Sequence, residues 1–349
     1  MMKKWKNNKF KKIIRLISTL HTFWIIVILL ALCLLFTILT PAGSFLSINN
    51  FRSLSADAAQ LVILTVGATY LLISGGLDLS VGSSLVLATV STLNLMKALG
   101  GSDNLMISIP VGIGFALAFT SFIGLINGVL VTKFEIPSFI ATLGTMGAAL
   151  GFARLLSKGT NVSGVPRELM NMINSRFLGI PFTVFIAALV VIIFSLVLKH
   201  TTFGLHTLSV GSNLEGTRRA GIKVKRHQVK IYILMGFLVG IVTIIDLGRF
   251  GIASIAAHTT VNLQAIAGAV IGGTSMFGGR GSVFGGVIGA FIPAVLRNGF
   301  IILGLQPFWQ EVAVSFVLLL AVYFDQWRRT QLERLQSQIV DEPNENNSL

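Results

Sequence analysis

Long apolar segments alternate with short polar, glycine-rich or proline-rich breaks along almost the whole chain. Two of them, FWIIVILLALCLLFTIL at 23–39 and PFTVFIAALVVIIFSLVL at 181–198, approach the roughly 20 residues that a helix needs to cross a membrane. The pattern predicts an all-α, polytopic membrane protein with about ten transmembrane helices, some of them broken. The predicted spans cover 20–40, 56–74, 79–97, 106–132, 137–156, 180–198, 228–248, 261–276, 281–304 and 308–326.

The composition describes a protein that is not built to face water on all sides. Of the 349 residues, 53% are hydrophobic and 11% are charged, whereas soluble domains carry about 25% charged residues. Basic residues outnumber acidic ones by 27 to 13, and they cluster at 3–15, 199–230 and 328–329. An even number of spans puts all three clusters in the cytoplasm, as the positive-inside rule requires. The excess positive charge therefore indicates topology rather than binding to nucleic acid.

This topology places both termini in the cytoplasm and divides the chain into three parts. Residues 1–19 form a basic N-terminal segment, residues 20–327 form the membrane domain, and residues 328–349 form a polar tail. Within the membrane domain, the loop 199–228 is cytoplasmic. The loop 154–176 departs from the rule, because it is basic although the count of spans places it outside. Either the predicted number of spans before the loop is wrong, or the loop holds positive charge for an external partner. Its basic residues are Arg154, Lys158, Arg167 and Arg176.

A stretch of small and polar residues, GGLDLSVG at 75–82, interrupts one of the most apolar parts of the chain. Glycine lets a helix end or another backbone come close, and Asp78 or Ser80 can accept from the free N–H groups of a restarting helix. The stretch predicts a helix break, which is either a hinge or pathway element or an ordinary cytoplasmic turn. A similar pattern, GGRGSVFGG, recurs at 278–286. The residues assigned to the breaks are Gly75, Gly76, Asp78, Ser80, Gly272, Gly273, Gly278 and Gly279.

The sequence contains no pattern typical of an enzyme. It lacks the phosphate-loop pattern G-x-x-x-x-G-K-[ST], the G-x-S-x-G pattern and the H-E-x-x-H pattern, and its five histidines lack the spacing of metal ligands. The polar residues inside the spans are scattered singly, so no row of carboxylates suggests a proton relay. We therefore expect a membrane protein that is not an enzyme and needs no metal or cofactor. An ion-coupled secondary transporter is one candidate function, since broken helices are common in that class.

The segment FGLHTLSVGSNLEGTRRAGIKVKRHQVK at 203–230 contains the signals of a short cytoplasmic helix. Asn213 is a good N-cap, Glu215 lies in the first turn, and Gly221 supplies the C-terminal stop. A helix of about two turns is marginal alone in water. It therefore either docks on another surface or is merely part of a basic loop.

Five stretches, in order, resemble the permease of bacterial ribose/xylose/arabinose/galactose-type ABC sugar importers. They are GGLDLSVGS at 75–83, IPSFIATLGTM at 136–146, TFGLHTLSVGSNLEGTRRAGIKV at 202–224, IGGTSMFGGRGSVFGG at 271–286 and PFWQ at 307–310. The resemblance implies a permease subunit, in the bacterial inner membrane, that moves a monosaccharide into the cytoplasm. It also implies three kinds of partner: a second copy or a sister permease, a cytosolic ATPase that hydrolyses ATP, and an external sugar-binding protein.

The resemblance also implies roles for particular segments. The segment 212–222 would dock on the ATPase, and the loop 154–176 would meet the binding protein. Where the family usually reads ELDAIAA, this chain has NLQAIAG at 262–268, so Asn262 and Gln264 replace two carboxylates beside the second glycine motif. That departure leaves the identity of the substrate open. The coupling residues are Asn213, Leu214, Glu215, Arg218, Arg219, Ala220, Gly221 and Ile222.

Overall fold

The computed structural model describes residues 24–306 and, beyond them, positions 308, 309, 311–313, 315, 316, 319, 320, 323 and 326. The predicted N-terminal segment 1–19 and the predicted tail 328–349 lie outside the described residues. The predicted cytoplasmic position of both termini therefore stays a prediction.

Helices form most of the described chain, because a helix satisfies its own backbone polar groups where no water is available. In chain order they are α1 (Trp24–Leu39), α2 (Ile48–Ile73), α3 (Val81–Ala98), α4 (Leu105–Thr132), α5 (Ser138–Ser157), α6 (Arg167–Ile173), α7 (Phe182–His200), α8 (Thr202–Ser212), α9 (Leu214–Arg219), α10 (Val224–Phe250), α11 (Val261–Ile271) and α12 (Val283–Ile302). A short 3₁₀ helix, Gly101–Asp103, lies between α3 and α4. Four two-residue strands form two antiparallel pairs: β1 (Val162–Ser163) with β4 (Ile252–Ala253), and β2 (Arg176–Phe177) with β3 (Ile180–Pro181).

Seven of the described helices are long and apolar enough to cross a membrane, namely α2, α3, α4, α5, α7, α10 and α12. Helix α1 is shorter as described, and the described positions between 308 and 326 are all helical. The predicted span 261–276 is wrong in its extent, because Gly272 and Gly273 end α11 after 11 residues. At 1.5 Å per residue α11 is about 16 Å long, roughly half of a hydrocarbon core. The predicted count of ten spans is therefore not confirmed.

Large apolar side chains on the outer surface distinguish the bundle from a soluble protein. Only 22% of the most apolar window of α5 and of α7 is buried, whereas 89% of that of α2 is buried. Phe152 on α5 and Leu189 on α7 are among the exposed side chains. Soluble monomers rarely expose apolar patches of this extent, so these faces suit an apolar membrane environment. The described residues confirm an all-α, polytopic membrane protein.

Helix α2 is the central element of the bundle and packs against α7, α8, α10, α11 and α12. Its N-terminal end is joined to α12 by a reciprocal amide pair. The Asn50 side chain donates to Asn298 Oδ1 at 3.0 Å, and the Asn298 side chain donates to Asn50 Oδ1 at 2.8 Å. Because each amide satisfies the other, this polar contact can be buried among apolar neighbours.

Helices α4 and α10 form the most extensive pair in the bundle, and glycines allow them to come close. A Cβ atom at Gly124 would overlap the backbone of Tyr232, and one at Gly236 would overlap the backbone of Thr120. Gly240 lies in the same way against Leu117. Since residue numbers rise on one helix as they fall on the other, the two helices are antiparallel.

The two ends of α10 carry different structures. Near its first residues lie α9 and the loop between α4 and α5, where Lys225 Nζ donates to Glu135 Oε1 at 2.7 Å. That hydrogen bond and the positive charge of Lys225 hold the pKa of Glu135 below its ordinary value. Near the last residues of α10 lies α6, whose following residue Asn174 donates to the Gly248 carbonyl at 2.9 Å. The segment 212–222 and the loop 154–176 therefore lie at opposite ends of a helix about 40 Å long.

Candidate functional site

The chain leaves helical geometry between α2 and α3, where the sequence predicts a break. The N–H groups of Gly75 and Gly76 donate to the carbonyls of Leu72 and Leu71, at 2.9 Å and 2.8 Å. Gly75 has a φ of +78°, in the left-handed region that favours glycine. Helix α2 therefore ends in a glycine cap, and the segment 74–80 returns into the protein before α3 begins.

Asp78 lies at the centre of a buried polar cluster in this segment. Its Oδ1 accepts from the Ser80 N–H at 2.8 Å and from the Ser80 hydroxyl at 2.6 Å. The Asn127 side-chain amide of α4 donates to Ser80 Oγ at 2.8 Å and more weakly to Asp78 Oδ2 at 3.3 Å. Of the two residues that could cap the restarting helix, Asp78 is thus the one that accepts a backbone N–H.

Side chains from two other helices satisfy the backbone carbonyls of the same segment. The Tyr232 hydroxyl of α10 donates to the Leu77 carbonyl at 3.2 Å, and the Asn262 amide of α11 donates to the Leu79 carbonyl at 3.0 Å. Non-helical backbone at membrane depth requires such partners. Asp78 and Asn262 also line a cavity of about 10 Å³ between α2, α3, α10 and α11, which is close to the smallest volume that holds one water molecule.

The two residues of NLQAIAG that depart from the family pattern lie in different places. Asn262 is buried beside the break. Gln264 is half-buried, and its amide donates to the Thr260 hydroxyl at 3.2 Å, within the N-terminal turn of its own helix. Of the pair, Asn262 is the residue positioned to act on the segment 74–80.

The second glycine motif packs against the first. The Gly279 N–H donates to the carbonyl of Ile73, the last residue of α2, at 2.8 Å. A Cβ atom at Gly211, near the end of α8, would overlap the same carbonyl oxygen, and one at Gly278 would lie 2.9 Å from the Gly211 carbonyl oxygen. We call this meeting of Ile73, Gly211, Gly278 and Gly279 the glycine junction. The sequence names its motif glycines but does not predict that they meet, nor that Gly211 joins them.

Gly272 and Gly273, just before the second glycine motif, close the α11–α12 contact. Gly273 ends α11 with a φ of +87°. A Cβ atom at Gly272 would overlap the backbone of Gly285 in α12. These two residues therefore set how closely the half-length helix α11 lies against α12.

The short helix predicted in the cytoplasmic segment is present as α9. Asn213 Oδ1 accepts from the Gly216 N–H at 2.8 Å, and Gly221 has a φ of +84°. Glu215 and Arg218 form an exposed ion pair of 3.0 Å. Leu214 and Ala220 are exposed, whereas Ile222 is half-buried. Arg219 ends the helix and is also exposed.

A second helix, α8, precedes α9. The sequence pattern does not predict it. Thr201 caps it by accepting from the Gly204 N–H at 3.3 Å. Its buried residues Gly204, Thr207 and Val210 recur every third position. That spacing was a usable signal, but two of the three residues are small or polar and do not read as an apolar face.

The four basic residues of the loop 154–176 are brought to one end of the molecule, and all are exposed. Arg154 lies in the last turn of α5, Lys158 caps that helix, Arg167 begins α6, and Arg176 lies in β2. Among the described residues, none of the four forms an ion pair with an acidic side chain. Their positive charge is therefore available at the surface.

Two pairs of ionisable side chains lie near the same end of the bundle. Arg249 of α10 lies 2.7 Å from Asp57 of α2, and His258 Nε2 lies 3.0 Å from Asp246 Oδ1. Sequence reasoning placed Asp246 inside a span but missed its partner and missed the Asp57–Arg249 pair. In the part of the chain that the structure describes, no three His, Cys, Asp or Glu residues group together to hold a metal ion.

Comparisons with known proteins agree over most of the chain. Residues 50–323 match the family model described as branched-chain amino acid transport system / permease component. The ribose import permease protein RbsC of Escherichia coli K12 is 33% identical over 302 residues, which cover 85% of this chain and 92% of that protein. The autoinducer 2 import system permease protein LsrC of Photorhabdus luminescens is 29% identical, with 88% and 92% covered. The D-allose transport system permease protein AlsC of Escherichia coli K12 is 32% identical, with 87% and 90% covered. No solved structure matches the chain.

Proposed function

Because the chain belongs to the family of branched-chain amino acid transport system permease components, we propose that it is the membrane-spanning subunit of an ATP-binding-cassette importer for a monosaccharide. Relatives named for the import of ribose and of D-allose support a sugar as the substrate. A cytosolic ATPase, a second copy or sister permease, and an external sugar-binding protein would complete the importer in the bacterial inner membrane.

The observation that carries the proposal is the exposed helix α9 between α8 and α10. Its capped ends and its arginines favour a folded helix, yet six residues are too few for a helix to be stable alone in water. An exposed leucine, Leu214, lies at its start. Together these features fit a helix that docks in a groove of a cytosolic partner, with a few apolar anchors inside a polar rim.

Reconstitution tests the proposal as a whole. The permease would be purified with the ATPase and the binding protein encoded beside it, placed in vesicles, and assayed for uptake of ribose, allose and branched-chain amino acids. We expect sugar uptake only when ATP is present on the ATPase side. Uptake driven by a sodium or proton gradient without ATP would instead identify an ion-coupled secondary transporter. Uptake of amino acids but not of sugars would show that the substrate is an amino acid.

The variant Ala220→Glu is expected to uncouple the importer while leaving the permease folded. Ala220 is exposed at the C-terminal cap of α9, and a carboxylate there would place an unpaired charge in a packed contact, at a cost of several kcal/mol. Sugar-stimulated ATP hydrolysis of the assembled complex is the measurement. Thr202→Glu is the matched control, because it adds the same charge to an exposed position outside α9. Wild-type hydrolysis in Ala220→Glu and after deletion of 214–220 would show that this segment is only a loop.

The exposed basic loop at the other end of α10 suits an acidic face of the binding protein. Arg167→Glu is expected to slow association of the binding protein by about tenfold, because rim charges act mainly on the association rate. The effect should shrink at about 0.5 M salt, where exposed charges are screened. Since Glu at the start of α6 also suits the helix dipole, the fold should persist. Association rates on captured complex provide the measurement.

Lys133→Glu, at the opposite end of the protein, is the control for this variant and should associate at the wild-type rate. An epitope tag inserted at 160–165 tests the topology directly. If the tag were accessible only from the cytoplasm, both the contact with the binding protein and the predicted side of the loop would be wrong.

A further inference from the structure

The end of α8 touches both helix breaks at one place, immediately before α9 begins. The Gly279 N–H and the position of a Gly211 Cβ both converge on the Ile73 carbonyl oxygen, and a Gly279 Cβ would lie 2.6 Å from Ser212 Oγ. Ile73 leads into the segment 74–80, and Gly279 lies in the connection from α11 to α12. Ser212, the residue before Asn213, thus lies where the end of α2 meets the connection from α11 to α12.

The contact is made mainly by backbone atoms, with the Ser212 hydroxyl donating weakly to the Gly279 carbonyl at 3.5 Å. A side chain can change rotamer and absorb a shift, but a contact between backbones without intervening side chains transmits it. Gly278 and Gly279 have φ values of +88° and +74°, so both require glycine for conformational reasons as well. The end of α8, which leads directly into α9, thus touches Ile73 through backbone atoms. Ile73 in turn leads directly into the segment held by Asp78, Tyr232 and Asn262.

The other connection of α9 to the membrane is looser. It runs through Gly221, which is exposed and has a φ of +84°. A Cβ atom added at Gly221 would have no neighbouring atom within 4 Å. Ile222 follows, half-buried, before α10 begins. The N–H groups of Gly221 and Ile222 donate to the Arg218 and Thr217 carbonyls, so this cap belongs to α9. The open space around Gly221 leaves no packing there that would fix α9 relative to α10.

We propose that the glycine junction is the route by which movement of α9 reaches the transport spans, with Gly211 as the positioning residue and the link through Gly221 as a passive pivot. The inference rests on the proposed function, because it assigns the mechanical path of the same coupling helix. It adds that both glycine motifs receive the movement at one point, through α8 rather than through α10.

Insertions on either side of α9 distinguish the two routes. One added glycine between Ser212 and Asn213 lengthens the path to the junction, whereas one between Lys223 and Val224 lengthens the path to α10. In vesicles containing the complete complex, we expect the first insertion to lower ATP-dependent uptake about tenfold, within the range typical of coupling between sites. Hydrolysis of ATP should persist, so that ATP is consumed without transport. The second insertion should leave the ratio of uptake to hydrolysis at the wild-type value.

A steric variant tests the junction without changing chain length. Gly211→Ala should favour the helical state of α8, since alanine is the better helix former, yet its Cβ would displace the Ile73 carbonyl. We expect the uptake-to-hydrolysis ratio to fall about tenfold, again within the typical range of coupling. Ser209→Ala, two residues earlier in the same helix, is the control and should keep the wild-type ratio. The melting temperature of each purified variant shows whether the permease is folded.

The outcomes separate this inference from the proposed function. If the wild-type complex shows no ATP-dependent uptake, the proposed function is wrong and the inference falls with it. If the wild type is active, either of two results overturns the route through the junction. The insertion after Ser212 could keep the wild-type ratio of uptake to hydrolysis, or the insertion after Lys223 could lower it. If the Ser212 insertion variant does not fold, Gly211→Ala decides instead. A folded Gly211→Ala variant with the wild-type ratio of uptake to hydrolysis would also overturn the route through the junction.

Discussion

The variant Gly124→Leu should leave little folded protein in the membrane. A Cβ atom at this position already overlaps the carbonyl of Tyr232 on α10, so the whole leucine side chain would lie between two helix backbones. Overfilling a core typically costs 1–3 kcal/mol where side chains can adjust. Because the obstacle here is backbone in the most extensive helix pair, we expect a loss of at least about 3 kcal/mol. The yield of folded protein in detergent and its melting temperature provide the measurement.

Gly114→Leu is the matched control for this variant. Gly114 lies in the same helix, but no atom lies within 4 Å of the position of its Cβ, and it is exposed on the outer surface. Leucine there gains helix propensity and meets lipid, so stability should be equal to or above that of the wild type. If both variants were equally stable, the glycines of α4 would not be responsible for its approach to α10.

The variant Asp78→Ala is expected to destabilise the break between α2 and α3. It removes the acceptor of the Ser80 N–H, of the Ser80 hydroxyl and of one Asn127 hydrogen bond. Each buried donor left without an acceptor costs about 1–3 kcal/mol, so the three lost contacts are expected to cost at least about 3 kcal/mol. Uptake should fall by more than the lower stability alone explains, because the segment 74–80 would lose its fixed position. Melting temperature and uptake by reconstituted complex are both measured.

Two further variants make this result specific. Asp78→Asn keeps one acceptor oxygen and should lose less stability than alanine. Thr89→Ala removes a buried hydroxyl of α3 that donates to the Val86 carbonyl of its own helix, and it should cost about 1 kcal/mol or less. A melting temperature of Asp78→Ala equal to that of the Thr89 control would contradict the structural role of the cluster.

Features encoded by neighbouring residues could be predicted from the sequence. The bounds of α9 follow from Asn213 and Gly221, whose effects act within one turn. The break after α2 follows from Gly75 and Gly76 in the same way. In both places the structure has the element within a few residues of the predicted position.

Features that depend on distant residues could not be predicted in this way. Asn127 is an isolated polar residue in the sequence, and nothing near it indicates that its partner, Asp78, lies 49 positions earlier. Likewise, a glycine shows that some backbone comes close but not which one, so the meeting of Gly211 with Ile73 was missed. The half-length of α11 was missed for another reason. The apolar residues around Gly272 keep the hydropathy high although the backbone has left the helix.

The amide pair between Asn50 and Asn298 has a consequence for how the chain is made. Its two residues are 248 positions apart, and a ribosome adds about 5–20 residues per second. Helix α2 therefore leaves the ribosome many seconds before Asn298 of α12 exists, and until then its first-turn amide can use the Phe45 carbonyl of its own segment. During that interval we expect provisional neighbours or the insertion machinery to hold the central helix in the bilayer. We therefore expect mutations in α12 to lower the yield of the permease during its synthesis. The newly made chain would be degraded before α12 packs against α2.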